Sequence, residues 1–462
     1  MEFQGIGRRK VEAAFDGGHL SSEGGSLLLR EVDSQLEMVG RLTACFTDHR
    51  NEDAVEHQVD ELLRQRIFGL ALGYEDLNDH DSLRRDVLMA LASGKEDIEG
   101  KERRCEEDKG IPLASASSLN RLELTPEDAN RDARYKKIVH DGKGIEDLMV
   151  ALFLERFDEA PEELILDFDA TDIPLHGEQE GRFFHGYYKN YCYLPLYVTC
   201  GDEVLVAKLR PSSIDASAGT VTVLKRLVKA IRARFPKVRI ILRGDSGFAR
   251  ESIMAWCEKN GVYYVLGLAK NARLNRAIEE AMDRAKIRSC LTGVAAREFL
   301  AFTYRTENSW SRARRVVGKA EYLSKGANPR FIVSNLPEDY AIPEDLYEKV
   351  YCARGDMENR IKEQQLDLFA TRTSTHTMRA NQLRLWFSAF AYTLIRRLRS
   401  IALEGTRMAR ATCGTIRCNL LKVAAQIRIS VRRVKVSLPT ACPYQDLFLR
   451  VWHALTQMPR PT

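Results

Sequence analysis

Leu-Ile-Leu-Asp-Phe-Asp, at residues 164–169, indicates the fold, because it predicts a strand that is apolar yet carries two acids. Side chains alternate across a sheet, so Asp167 and Asp169 face the same way, roughly 7 Å apart. Acids buried on a strand are costly unless they are paired or bind a metal ion. The alternative is structural, with either acid bonded to a backbone amide or to an arginine.

The segments that follow predict a sheet with helices packed on it. Residues 187–197 and 203–209 are typical of two strands that turn at Gly201 and Asp202. Next come a helix with an apolar face at 224–235, a strand at 238–242, a helix near 250–260 and a strand at 262–268. Strands that are first adjacent and then alternate with helices predict a mixed α/β sheet.

The flanking regions differ from this core. Residues 1–160 are predicted to be mostly helical, with helices at 55–72 and 115–124, and to hold a local helix-turn-helix or a dimerisation module. Short strands at 299–304, 313–318 and 331–334 predict a β-rich insertion, and a long helix is expected from 346 past 369. We therefore expect an N-terminal region (1–160), the first part of a core (161–269), an insertion (270–345), the end of the core (346–400) and a basic helical C-terminal region (401–462).

Composition excludes several classes of protein. The 462 residues are 44% hydrophobic and 29% charged, which is typical of a globular chain and not of a disordered one. The longest apolar run, 387–395, is far shorter than the ~20 residues of a membrane span. The first ten residues lack the apolar stretch of a secretory signal, so we expect a cytoplasmic protein. The ten cysteines have no CxxC spacing, which argues against a zinc ribbon or a disulfide framework.

Charge is distributed unevenly. Residues 1–160 hold 22 Lys and Arg against 35 Asp and Glu, whereas residues 376–462 hold 15 against 2. The net charges are therefore −13 and +13, within a total of +5. A C-terminal region this basic suits a polyanion, most simply nucleic acid.

Two further segments supply acids. Asp245, in Gly-Asp-Ser-Gly at 244–247, follows a strand, where ligand sites of α/β sheets gather, although Asp is also common in such turns. Arg354, Glu358 and Lys362 share one helical stripe, either as a surface ion-pair ladder or as a metal-binding acid flanked by phosphate-binding cations. Three acids from two strands and a helix can bind two Mg²⁺ ions for phosphodiester chemistry.

Two other features have competing interpretations. His176 and His185 bracket a glycine-rich stretch, and we favour a loop near the active site over a zinc site. Trp310 lies beside several basic residues and is a candidate for stacking on an unpaired base, although a core tryptophan is an equal alternative.

Several blocks in order resemble the bacterial insertion-sequence transposases of the 1380 family, in the wider insertion-sequence-4-like group. Residues 166–172 (Leu-Asp-Phe-Asp-Ala-Thr-Asp) resemble the family's first catalytic block, and residues 186–196 its next block. Residues 243–248 (Arg-Gly-Asp-Ser-Gly-Phe) resemble the second acidic block, and Tyr-x-x-Arg-x-x-x-Glu at 351–358 the signature with the third acid. Residues 73–81 and 113–123 are also similar to the family, which implies that the N-terminal region 1–160 serves DNA end binding or dimerisation.

The resemblance implies an RNase H-like catalytic core whose acids are Asp169, Asp245 and Glu358, with Asp167 as the alternate metal ligand. Asp169 is preferred because the family pattern is Asp-x-Thr, and Asp172 is a possible helper. The signature's lysine falls on Gln365, so Lys362 is the nearest substitute and would bind DNA phosphates together with Tyr351 and Arg354.

The implied function is transposition of an insertion sequence in the bacterial cytoplasm, at the nucleoid when bound to DNA. Two Mg²⁺ or Mn²⁺ ions would support cleavage and strand transfer, with hairpin formation as one route. The partners would be terminal inverted repeats, target DNA and a second copy in a synaptic homodimer. The rivals are a metal-dependent nuclease without joining activity and a non-catalytic DNA-binding descendant.

Overall fold

The computed structural model describes residues 1–458, which divide into two compact units. One unit is formed by Met1–Ile145 together with the described residues from Glu363 onward. The other is Glu146–Lys362, and it contains all three predicted acids. Within the described residues, no helix has both the length and the apolar character that crossing a membrane requires.

Strands occur in both units. In chain order they are β1 (Glu2–Ile6), β2 (Arg9–Glu12), β3 (His19–Ser21), β4 (Phe46–Asp48), β5 (Ile138–His140), β6 (Glu163–Ala170), β7 (Ile173–Pro174), β8 (Phe183–His185), β9 (Asn190–Tyr193), β10 (Leu196–Cys200), β11 (Glu203–Lys208), β12 (Arg239–Gly244), β13 (Tyr263–Leu268), β14 (Ala296–Tyr304), β15 (Arg314–Leu323), β16 (Gly326–Ala327), β17 (Arg330–Ser334), β18 (Ala425–Ser430) and β19 (Arg433–Ser437).

Helices follow the same numbering. The α-helices are α1 (Ser26–Leu36), α2 (Met38–Thr43), α3 (Val59–Leu72), α4 (Asp79–Leu83), α5 (Val87–Ala92), α6 (Ala116–Glu123), α7 (Gly142–Leu154), α8 (Thr220–Arg234), α9 (Glu251–Lys259), α10 (Ala272–Ala277), α11 (Glu279–Thr292), α12 (Pro343–Asp345), α13 (Gly355–Lys362), α14 (Met378–Leu398), α15 (Cys413–Ile416) and α16 (Gln445–Gln457). Short 3-10 turns lie at Glu52–Ala54, Glu106–Asp108, Ser246–Phe248 and Cys352–Arg354, and π-helical turns at Leu346–Tyr351, Glu363–Asp367, Arg399–Leu403 and Arg417–Leu421.

A nine-stranded mixed sheet organises the second unit. Its order is β11-β10-β6-β12-β13-β17-β15-β14, with β16 paired to β15. Strand β12 runs parallel to β6 and β13, whereas β10 and β11 run antiparallel to their neighbours. Helix α8 connects β11 to β12, and α9 connects β12 to β13. Three antiparallel strands followed by two parallel strand–helix units form an RNase H-like core, as the sequence predicts.

The alternation of β6 explains how this sheet is packed. Leu164, Leu166 and Phe168 are buried in the larger apolar cluster, together with the inner face of α8. The opposite face bears Ile165, which packs on a smaller cluster that includes Leu346. Because side chains alternate, Asp167 and Asp169 lie on this second face, the one that the helical segment after residue 343 covers.

Several sequence-based boundaries need correction in this unit. The predicted strand at 187–197 is two strands in two sheets, because β9 pairs with β7 and β8 while β10 joins the main sheet. The strands predicted as an insertion extend the main sheet through β17 beside β13. The long helix that starts near 346 ends at Asp367 rather than beyond Phe369, whose backbone is left-handed at φ 58°.

The first unit combines N- and C-terminal segments. Helix α3 ends at Gly73, whose φ of 96° is the left-handed conformation expected of a C-terminal cap. The region after 380 is not wholly helical, because β18 pairs with β3 and β19 in a small sheet. The hairpin β18–β19 exposes four cations that form no ion pair among the described residues. We call these four the basic hairpin: Arg428, Arg432, Arg433 and Lys435.

Candidate active site

Strand register places two of the predicted acids side by side. Phe168 of β6 lies opposite Gly244 of β12 in the parallel pair, so Asp169 and Asp245 follow at the carboxyl ends of adjacent strands. Neighbouring strands are about 4.8 Å apart. Asp245 is fixed by its turn, because its Oδ1 accepts a hydrogen bond of 2.8 Å from the Gly247 backbone N–H. Ligand sites are expected at such an edge.

The third acid arrives on the helical segment that covers this face. Glu358 belongs to α13, and Arg354 closes the 3-10 turn before it. Arg354 Nη1 lies 3.7 Å from Asp169 Oδ1, and Arg354 Nη2 donates to Glu358 Oε1 at 3.1 Å. Asp169 and Arg354 are mostly buried, whereas about half of the Glu358 side chain is exposed. One guanidinium therefore connects the first acid to the third.

The three carboxylates share one electrostatic site. The pKa of Asp169 is raised to about 6, mainly by burial; the charge of Arg354 lowers it, and the charges of Asp245 and Glu358 raise it. A carboxylate repelled by two others in a partly dry site is typical of a place that receives cations.

Asp167, the alternate metal ligand, has a different partner. Arg243 donates to both of its carboxylate oxygens, with Nη2 to Oδ2 at 2.7 Å, and both side chains are buried. Arg243 Nη1 also donates to the carbonyl oxygen of Val350. Because both oxygens of Asp167 are engaged, the structure favours the structural alternative for this acid. The pair joins β6 and β12 to the segment that carries Arg354.

The donor set of the site suits a hard divalent cation. Carboxylate oxygens are the ligands preferred by Mg²⁺ and Mn²⁺. Within residues 1–458, however, no three His, Cys, Asp or Glu side chains converge closely enough to hold one metal ion. At this site the Arg354 guanidinium contacts both Asp169 and Glu358.

A cleft of about 340 Å³ opens beside Asp245. Its lining includes two exposed cations, Lys270 and Arg330, and neither forms an ion pair within the described part of the chain. Tyr351 forms another part of the wall, and burial raises the pKa of its hydroxyl. Gly267 also lines the cleft, and a side chain at this position would be too close to Tyr351, since a Cβ would lie 2.6 Å from Tyr351 Oη.

The remaining predicted residues are placed as follows. Lys362 is exposed at the end of α13, one turn beyond Glu358. Asp172 accepts a hydrogen bond from Asn190 Nδ2 at 3.2 Å and stays close to the strand that bears Asp169. The ring of Trp310 is only 4% exposed and packs edge-on against Tyr304 in the core. The structure therefore favours a core tryptophan over one that stacks on a base.

The two histidines lie in and beside a small sheet that follows β6. His185 ends β8, its ring 4.9 Å from that of Tyr188, whereas His176 is exposed. Tyr188 Oη donates to the carbonyl oxygen of Ala170 at 3.5 Å, so this sheet adjoins β6. The glycine-rich stretch between the histidines is mostly a loop, residues 175–182, which connects β7 to β8 in a three-stranded sheet of order β7-β9-β8.

Sequence reasoning missed three cations near the acids. Arg243 lies in the apolar strand β12, on the same face as Asp245 and opposite Asp167. A charged residue in so apolar a strand could have predicted a buried partner for Asp167. Lys270 and Arg330 are 60 residues apart in sequence and meet in one cleft only because β13 pairs with β17. No local pattern would have linked them.

Comparison with known proteins gives one match over nearly the whole chain. Residues 3–460 match the family model described as the transposase DDE domain, group 1. No curated protein matches the chain. Among solved structures, the chain is similar to the cryo-EM structure of a piggyBac transposase synaptic complex with hairpin DNA. The identity is 12%, the coverage is 95% of this chain and 83% of that one, and the TM-score is 0.41.

Proposed function

Because the chain belongs to the group 1 DDE-domain transposases, which cut DNA and transfer its strands, we propose that Asp169, Asp245 and Glu358 are its catalytic triad. The observation that supports this choice is the parallel register of β6 and β12, which sets Asp169 and Asp245 side by side. Arg354 extends the cluster to Glu358 through contacts of 3.7 Å and 3.1 Å.

We propose Mg²⁺ or Mn²⁺, as two ions, for the divalent-metal requirement that DDE transposases generally have. When bound, such ions activate the attacking oxygen and stabilise the leaving oxygen of a phosphodiester. The three carboxylates would hold them. Arg354 would then turn its guanidinium from the carboxylates to a DNA phosphate, for which its planar fork of donors is suited.

Further phosphate contacts follow from the positions of the other cations. Lys362 lies one helical turn beyond Glu358, and the Tyr351 hydroxyl lines the cleft beside Asp245. Lys270 and Arg330 have no carboxylate partner among the described residues, so they are available to a phosphate of the strand that passes Asp245. These residues would orient the scissile phosphate without taking part in proton transfer.

DNA outside the active site requires other surfaces. The basic hairpin exposes four unpaired cations and suits backbone contacts. By contrast, several other arginines of the basic C-terminal region are engaged within their own unit, as when Arg417 donates to the Ala71 carbonyl at 2.8 Å. The predicted +13 excess is therefore only partly available to DNA.

We further propose that the chain is a bacterial transposase of the insertion-sequence 1380 family, on the strength of the motif blocks at 166–172, 186–196, 243–248 and 351–358. Its substrates would be terminal inverted repeats and target DNA at the nucleoid. Two ends must be joined, so a homodimer in the synaptic complex is expected, and hairpin intermediates are one possible cleavage route.

Cleavage and strand transfer on labelled DNA ends from the flanks of the gene test the proposal. The wild type should give both cut and joined products with Mg²⁺, and Asp245→Asn should give neither. Asp283→Asn is the matched control, because Asp283 is an exposed acid in the same unit, on α11. Cut products without joined ones would support the nuclease, and unchanged cleavage by Asp245→Asn would exclude the triad.

A further inference from the structure

Large exposed aromatic side chains are concentrated beside the catalytic strand. Phe183, Phe184, Tyr187 and Tyr191 are 51%, 49%, 82% and 44% exposed, and we call these four the aromatic ribbon. Only four other aromatic side chains among the described residues are comparably exposed: Phe3, Phe15, Tyr135 and Trp452. Half of the exposed aromatic side chains thus fall within nine residues, a local concentration typical of an interaction surface. Phe184 and Tyr191 share one face of the small sheet, whereas Phe183 lies on the opposite face because side chains alternate along a strand.

The ribbon is held rigidly on the small sheet. Phe184 lies opposite Tyr191 across β8 and β9, with ring centroids 5.5 Å apart. Tyr187 stands at the turn between these strands, which Lys189 closes with a backbone N–H donated to the His185 carbonyl at 2.8 Å. At the base, the buried Tyr193 donates its hydroxyl to the Glu180 carbonyl at 2.6 Å. Such anchoring reduces the entropy lost when a ligand binds.

Charge next to the ribbon favours a nucleic acid as its ligand. The Arg182 guanidinium lies 4.5 Å from the centre of the Tyr191 ring, and its Nη1 also pairs with the exposed Glu178 at 3.2 Å from Oε1. Lys189, at the tip of the hairpin, has no ion pair among the described residues. Flat rings interleaved with cations are the arrangement that binds unpaired bases and their phosphates. A hydrophobic protein partner would not need these cations.

The position of the ribbon sets which bases it can reach. The small sheet begins with β7, three residues after Asp169, and Tyr188 is hydrogen-bonded to Ala170. A strand entering the catalytic site would therefore pass these rings. We propose that the aromatic ribbon stacks on unpaired bases of the DNA adjoining the cleavage point. The proposal rests on DNA being the substrate and is independent of which acids bind metal.

The test compares binding to a duplex with a short single-stranded overhang and to the blunt duplex of the same sequence. Replacement of Phe184, Tyr187 and Tyr191 by alanine should weaken overhang binding by about 5- to 150-fold for each stack lost. Binding to the blunt duplex should change much less. Tyr187→Phe should retain stacking, and Tyr135→Ala is the matched control because Tyr135 is 54% exposed but lies in the other unit.

Photo-cross-linking from 5-iodouracil in the overhang provides a second readout, with cross-links expected on the ribbon residues. Unchanged overhang affinity of the triple variant, with cross-links elsewhere, would overturn the proposal. Loss of self-association without loss of DNA affinity would overturn it too, and would assign the surface to a second copy. Because binding is measured without metal, failure here leaves the proposed triad standing, and failure of the triad leaves this result unaffected.

Discussion

Replacing Asp169 with Asn should make the metal-free protein more stable while it abolishes cleavage. The pKa of this carboxyl rises from 3.8 to about 6 in the folded chain, mainly because the group is buried. This difference in pKa corresponds to about 2–3 kcal/mol against the charged form at neutral pH. Asn carries no charge and avoids this cost, and Arg354 keeps Glu358 as a partner at 3.1 Å.

The effect of Asp169 on the free energy of unfolding should depend on pH. The pKa of the Asp169 carboxyl is 3.8 in the unfolded chain and about 6 in the folded chain. Between these pH values the folded state therefore binds more protons than the unfolded state. The resulting stabilisation is fully present below pH 3.8 and is lost as the pH rises through about 6. The stability advantage of Asp169→Asn should therefore be near zero at the acid end and reach about 1–3 kcal/mol above pH 7.

Urea denaturation in EDTA measures the difference in free energy of unfolding between Asp169→Asn and the wild type. It should be repeated from about pH 4 to about pH 8, which spans the titration of the carboxyl in the folded state. Asp283→Asn, an exposed acid, should track the wild type throughout. Cleavage in Mg²⁺ should fall at least about 100-fold for Asp169→Asn, as expected when a metal ligand is lost. The reasoning would be refuted if Asp169→Asn were less stable than the wild type at about pH 7.5, or if the stability difference did not vary with pH. Either result would show that burial does not destabilise the charged form of Asp169.

Three further predictions follow from other contacts. Arg243→Met should lower the free energy of unfolding by about 3–5 kcal/mol, because it leaves Asp167 buried and unpaired. Adding Asp167→Leu should restore most of the loss. A double variant as unstable as the single one would contradict the pairing of Asp167 with Arg243. Gly267→Ala would bring a Cβ to 2.6 Å from Tyr351 Oη and 2.9 Å from Ser246 N. It should cost about 1–3 kcal/mol in thermal unfolding and reduce cleavage more than DNA binding; normal cleavage would show that the turn tolerates displacement. Replacing the four cations of the basic hairpin with Gln should flatten the plot of log affinity against log salt by up to about 3–4 units, and an unchanged slope would remove this hairpin from the DNA interface.

Local pattern predicted much of the core. The alternation of 164–169 and the apolar face of 224–235 gave β6 and α8 close to their bounds, because each signal lies within one element. The strand at 187–197 was wrong because its apolar character continues across the break between β9 and β10, where the chain changes sheets. The strand with which a segment pairs depends on tertiary packing, which involves residues outside any short stretch of sequence.

The candidate site follows the same division. Asp169, Asp245 and Glu358 were named from motifs, but the roles of their neighbours depended on distant segments. Asp167 is a paired structural acid because Arg243, 76 residues later, reaches both of its oxygens. Trp310 is buried in the larger apolar cluster, where its ring packs against Tyr304 at the end of β14. Residue type predicted which groups could act, and strand pairing determined which of them face the site.

Arg354 offsets part of the repulsion among Asp169, Asp245 and Glu358. Its charge partly offsets theirs, and its two contacts span from the strand acid to the helix acid. Divalent cations would compete for the same oxygens, because each carries twice the charge on a smaller group. A displaced guanidinium in a partly buried site needs a new anion, since an unpaired buried charge is costly. A DNA phosphate beside the triad meets that need, so metal binding and DNA binding should each strengthen the other, as thermodynamic linkage requires of any such coupling.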